Sequence, residues 1–222
     1  MNAVVRSARH LGWMLAVLVF AAAPAWGEEA GAQAKPLPDL RAVLGELRKG
    51  GFVIYLRHTA TDQSGAGDAE ADLGRCETQR NLSAEGRAEA ARIGKSIKAL
   101  SIPVGSVLAS PLCRAKDTAR LAFGRVAASK DLYFVLGADE IEMKRLRDAL
   151  RRMLSTPPPA GTNVVLVSHS ANLREAAGIF AKPEGVAYVF RPLPNGKFEV
   201  VARILPQDWS GAAQPRRAAA AR

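Results

Sequence analysis

Apolar residues in this chain fall into two kinds of stretch. Short continuous runs rich in Val, Ile and Leu read as strands buried on both faces, and longer segments with apolar residues three and four apart read as amphipathic helices. Gly51-Phe52-Val53-Ile54-Tyr55-Leu56 is the first run and enters Arg57-His58-Thr59. Asn163-Val164-Val165-Leu166-Val167 is a later one and enters Ser168-His169-Ser170. Each run delivers a histidine at its carboxyl end, where parallel α/β sheets keep their binding residues.

Around these runs the pattern alternates. Leu40, Val43, Leu44 and Leu47 put a helix over Leu37 to Arg48, stopped by Gly50-Gly51. Ala60 to Arg80 is polar, holds Gly65, Gly67 and Gly74, and reads as a long functional loop. Ser83 is an expected N-cap, with Glu85 in the first turn of a helix presenting Ala88, Ala91, Ile93, Ile97 and Leu100. Val104 to Ala109 reads as a strand, after which Ser110 as cap and Pro111 at the first position open another helix. Asp131 to Leu136 is expected as a third strand, and Asp139 to Leu154 as a helix stopped by Pro157-Pro158-Pro159. A helix from about Ala171 to Phe180 and strands near Val186 to Phe190 and Phe198 to Ile204 complete the order. The expected fold is three-layer α/β/α, with a mainly parallel central sheet and a C-terminal antiparallel ribbon.

The first segment is set apart. Arg6 and Arg9 precede an apolar stretch from Leu11 to Ala23, and Ala25-Trp26-Gly27 ends in small residues, so residues 1–27 read as a cleaved signal peptide; a retained anchor is the alternative. Residues 28–36 are an expected flexible lead-in, 37–209 the folded domain, and 210–222 a disordered basic tail. Loss of the leader removes His10 and leaves His58 and His169 as the two histidines, while net charge falls from +10 to +8. A basic balance favours anionic partners. Finger, basic-aromatic and helix-turn-helix patterns are all missing, so nucleic acid is not expected among them. Cys76 and Cys113 flank segments assigned to one rim, and in an oxidising compartment a disulfide is expected; two unpaired small apolar residues are the alternative, and a zinc site is excluded by the spacing.

Three segments should converge on one crevice: Arg57-His58-Thr59, Ser110-Pro111-Leu112-Cys113-Arg114 and Ser168-His169-Ser170. Together with Asn81-Leu82-Ser83-Ala84-Glu85-Gly86 and Ala115-Lys116-Asp117-Thr118-Ala119, they resemble the ordered marks of the histidine phosphatase (phosphoglycerate mutase-like) superfamily, with Thr59 standing where relatives carry Gly or Ala. The resemblance spans Phe52 to about Arg203 and implies a metal-independent phosphomonoesterase with no cofactor. His58 would be the nucleophile and His169 the partner that donates to the transferring oxygens. A phosphomonoester needs cations before a nucleophile can approach, and Arg57 and Arg114 suit that task because guanidinium binds phosphate bidentately and stays charged. A bound dianion should favour the imidazolium of His169.

For the proton donor, Asp139, Glu140 and Glu142 fall in the region relatives use, and Glu140 is placed first; all three also suit the positive end of their helix. Thr59 and Thr61 are candidate hydroxyl contacts to phosphate or turn caps. Gln79 and Arg80 are candidates for the pocket border. Ser110 and Ser168 lack the Gly-x-Ser-x-Gly setting of a serine hydrolase. The expected substrate is a phosphorylated small molecule or an envelope glycan or lipid, met in the periplasm or outside the cell. After leader cleavage no stable membrane span remains, and the oligomeric state is unread. The alternative is a non-catalytic phosphate-binding or envelope-interaction protein that keeps the pocket.

Overall fold

The computed structural model describes residues 37–64, 67 and 71–214. The expected leader, the lead-in and the last part of the tail lie outside them. The described chain runs α1 (Leu40–Leu47), β1 (Val53–Arg57), α2 (Ala84–Ala99), β2 (Val104–Ala109), α3 (Cys113–Phe123), β3 (Ala127–Ala128), α4 (Glu140–Ser155), β4 (Asn163–Ser168), α5 (Ser170–Ala177), β5 (Ala187–Leu193), β6 (Lys197–Ile204) and α6 (Pro206–Ala213). The strands form one sheet in the order β3-β2-β4-β1-β5-β6. β3, β2, β4 and β1 are parallel, and β5 and β6 close the far edge antiparallel. This is the expected α/β fold with its terminal ribbon.

Both faces of β1 and β4 are buried, which is why their sequences run apolar without alternation. Ile54, Leu56, Val165 and Val167 share one core with Leu40, Ile93, Ile97, Ala119 and Trp209. Val53, Tyr55 and Leu166 share the other with Leu150, Leu154 and Leu173. At the amino ends of the strands the buried Asn163 donates to Leu47 and Pro103 carbonyls and accepts from the Phe52 amide, tying α1, β1 and β4 together. Register then sets Arg57 opposite Ser168. His58 and His169 are the next residues out.

Three expectations need correction. Asp131 to Leu136 is no strand: a 3-10 turn covers Lys130–Leu132, and the third strand is the earlier Ala127–Ala128. Leu132 and Val135 are buried as separate anchors, while the Leu132 and Tyr133 carbonyls accept from Ser168 and Asn172 side chains instead of a neighbouring strand. Ser110 is not the cap of α3, which begins at Cys113, where the Gln79 side chain accepts from the Cys113 amide. The tail does not start at 210, because α6 continues to Ala213, anchored by the buried Trp209 and by an Arg41 bond to the Gly211 carbonyl.

Candidate active site

His58 is fixed from three directions. Its amide donates to the Ser168 carbonyl of β4, and its carbonyl accepts from Gly185, while the preceding Arg57 amide donates to Val186. The segment 181–186 thus lies across the end of β1. Gly185 makes this approach possible: it takes φ +76°, and a Cβ there would meet Glu89 Oε2 at 2.5 Å. The imidazole is buried, with Nδ1 3.0 Å from the Thr59 carbonyl. A carbonyl only accepts, so Nδ1 carries the proton and Nε2 keeps its lone pair. Burial, then the charge of Arg114, holds the ring well below its ordinary pKa and keeps it neutral.

His169 is held differently. Its ring packs edge-on to Phe134 and lies 5.3 Å from the His58 ring, centroid to centroid. Nε2 shares a 2.9 Å hydrogen bond with Ser110 Oγ, and Nδ1 is buried with no partner among the described residues. The Tyr55 hydroxyl donates to the His169 carbonyl. Burial first, then His58 and Arg114, lowers the pKa of His169 as well. Without an anion, the ring therefore favours its neutral form; the expected imidazolium requires the bound dianion.

Cations surround the pair. Arg114, in the first turn of α3, is fully buried, stacks over Phe134 and donates to the Arg80 carbonyl. Arg57 donates from one terminal nitrogen to the Ala181 carbonyl and from the other to Glu184, and its buried Nε has no partner among the described residues. Arg80 also raises the positive potential at both histidines. It arrives there because Cys76 and Cys113 form a disulfide with Cα atoms 5.7 Å apart, and because Gln79 bridges the Asp72 carbonyl and the Cys113 amide. Such a nest of guanidinium groups around a neutral imidazole suits a phosphate dianion.

Other expected residues are placed elsewhere. Thr59 is buried against α3, where its amide and hydroxyl both bond Thr118 Oγ1, so it fastens β1 to α3 and its hydroxyl is spent there. Glu140 is exposed in the first turn of α4, and the dipole reading accounts for it. Thr61 bonds a carboxylate that the sequence reading did not single out, Glu184. That residue sits in a Pro-Glu-Gly turn, and nothing in its spacing or neighbours sets it apart from an ordinary loop acid. A cleft of about 490 Å³, lined by Leu108, Met153, Pro158 and Leu166 among others, lies on the α4 face of the sheet and includes none of these residues. Its lining mixes apolar side chains with Ser106, Asp131, Arg152 and Thr156 and contains no histidine.

Residues 53–132 match the model of the histidine phosphatase superfamily, branch 1. No curated protein matches the chain in sequence. Among solved structures, the Rv3214 product of Mycobacterium tuberculosis aligns with a TM-score of 0.51 at 19% identity, covering 70% of this chain and 97% of that one. A phosphoserine phosphatase mutant from Entamoeba histolytica aligns at 0.48 and 14% identity, covering 71% and 98%. The alpha-ribazole phosphatase of Shigella flexneri aligns at 0.49 and 16%, covering 67% and 94%. The matched segment, a histidine phosphatase superfamily domain by its sequence, carries Arg57, His58 and Arg114, and the sheet sets His169 beside them.

Proposed function

We propose that this chain is an exported phosphomonoester hydrolase that works through a phosphohistidine on His58 and needs no metal. The observation that carries the reading is the Nδ1 bond to the Thr59 carbonyl, which leaves Nε2 as a neutral nucleophile beside the buried Arg114 and the half-buried Arg57. Nε2 attacks phosphorus, the bond to the leaving oxygen breaks, and that oxygen takes a proton. Water then attacks phosphorus, the P–N bond breaks, and inorganic phosphate leaves with Nε2 restored. Arg57, Arg114 and His169 stabilise the equatorial oxygens in both steps. Three cationic side chains perform the neutralisation that a divalent ion gives elsewhere.

Export rests on the leader and is supported by the Cys76–Cys113 bond, since such bonds persist in oxidising compartments. The basic surface fits a small phosphorylated substrate or an anionic envelope glycan or lipid. Hydrolysis of an aryl phosphate, whose leaving group needs little protonation, tests the reaction. Expected are steady turnover in EDTA, an acid-labile, base-stable phosphoryl label on the protein, and loss of both in His58→Ala by about 10⁴-fold or more. A wild type that binds phosphate without turning over would instead support the binding protein.

A further inference from the structure

We propose that Glu184 is a positioning residue for the nucleophile: its carboxylate faces the protonated side of His58 and steadies the positive charge that the ring acquires when Nε2 bonds phosphorus. The inference rests on the phosphohistidine reading above. Glu184 belongs to the segment that crosses the end of β1, and its side chain is 19% exposed. Oε1 accepts from Arg57 at 3.0 Å and from the Thr61 hydroxyl at 3.1 Å, while Oε2 accepts from the Thr61 amide at 3.0 Å. Oε1 also lies 4.0 Å from His58 Nδ1. The carboxylate is thus held by a guanidinium, a backbone amide and a hydroxyl, and none of the three supplies a negative charge of its own.

The charge balance gives this placement its meaning. Nδ1 keeps its proton throughout, because the Thr59 carbonyl cannot donate one. When the Nε2 lone pair forms the P–N bond, the ring becomes a phosphoimidazolium carrying one positive charge. Around it stand Arg57, Arg80 and Arg114, all of which oppose that charge, as they oppose protonation of free His58. Among the described residues Glu184 is the carboxylate that reaches the ring. Glu89 lies behind it, against Gly185, and burial pushes its carboxyl pKa up against the opposing charge of Arg92. A fixed carboxylate on the far side of an imidazole whose other nitrogen does the chemistry is a familiar means of stabilising an imidazolium.

A mere clamp and an electrostatic partner predict different kinetics. The negative charge of Glu184 opposes binding of a second anion nearby, so its removal should not weaken the resting phosphate complex. It should slow the chemical step. The experiment compares wild type, Glu184→Asp and Glu184→Gln by rapid-quench burst with an aryl phosphate and by the Ki of inorganic phosphate. Expected is a burst rate that falls about 10–100-fold in Glu184→Gln, with Glu184→Asp between it and wild type, while Ki is unchanged or tighter in both. The proposal is overturned by a Glu184→Gln burst within twofold of wild type, or by burst rate and phosphate affinity falling together. Should Glu184→Gln not fold, Glu184→Asp decides alone: a burst at least threefold slower at unchanged Ki supports the proposal, and an unchanged burst or a weakened Ki sinks it. A wild type that takes up no acid-labile label fails at the earlier step and removes the phosphohistidine reading itself, with this proposal.

Discussion

The ends of β1 and β4 carry the same kind of residue and treat it in opposite ways. His58 has its proton fixed on Nδ1 by a main-chain carbonyl and a carboxylate beside it, so its other nitrogen is committed to be a base or nucleophile. His169 meets a hydroxyl at Nε2, leaves Nδ1 without a partner among the described residues, and has its packing shared with Phe134. A hydroxyl both gives and takes a proton, so His169 can change protonation state without breaking its anchor. Adjacent strands therefore supply one ring of fixed tautomer and one of adjustable charge. That division is what a displacement at phosphorus requires: one group to attack, and another whose charge follows the anion.

The comparison breaks most visibly at the rings themselves. His169→Asn should lower turnover of an aryl phosphate about 10²–10³-fold and still allow an acid-labile label on the protein, because the attacking nitrogen is intact. A variant that takes up no label would make the two rings equivalent and end the distinction. A smaller effect is expected at the anchor of the adjustable ring. Ser110→Ala removes the partner of Nε2 in a buried site and should cost about tenfold in turnover with little change in KM, measured by steady-state kinetics. Unaltered turnover would mean that Ser110 does not set the ring.

The mildest probe is pH. Burial first, and then neighbouring positive charge, pulls both histidines well below the ordinary imidazole pKa. The unfolded chain therefore binds protons below about pH 6.5 that the native state refuses, so the contribution to stability is full above that pH and is lost as pH falls through it. Thermal melts from pH 7.5 to 5 should show the wild type losing more Tm than a His58→Gln/His169→Gln double variant. Parallel losses would show that the two rings are not held neutral by the fold.

Strands and site were not equally legible in the sequence. β4 begins and ends where its apolar run does, and Ser83 caps α2 through its bond to the Gly86 amide, because both signals are local. Arg57, His58, Arg114 and His169 could be found since each is at or close to a strand end that the pattern marks. Thr59 could not be oriented: its hydroxyl points at Thr118, and which side of the chain end faces α3 is decided by packing. Ser110 has the look of a cap and serves as an anchor for a ring 59 residues away. Glu184 was invisible for the same reason, since its partners are 123 to 127 residues distant in the chain and its own turn has no periodicity. Local chemistry can be read along a sequence; a side chain's partner across the fold cannot.

Strand order carries a further consequence, for how the protein is made. β4 lies between β1 and β2, so the two earlier strands are not neighbours until it arrives. The segment that crosses Arg57 and His58 comes later still, at residues 181–186. A ribosome that has delivered His58, Arg57 and Arg114 has therefore not yet delivered the strand that joins β1 to β2. The reactive centre closes by contacts of high sequence separation, the slow kind to form. A fragment ending before residue 163 lacks the strand that joins β1 to β2 as well as His169, and the two histidines meet only when most of the chain has been synthesised.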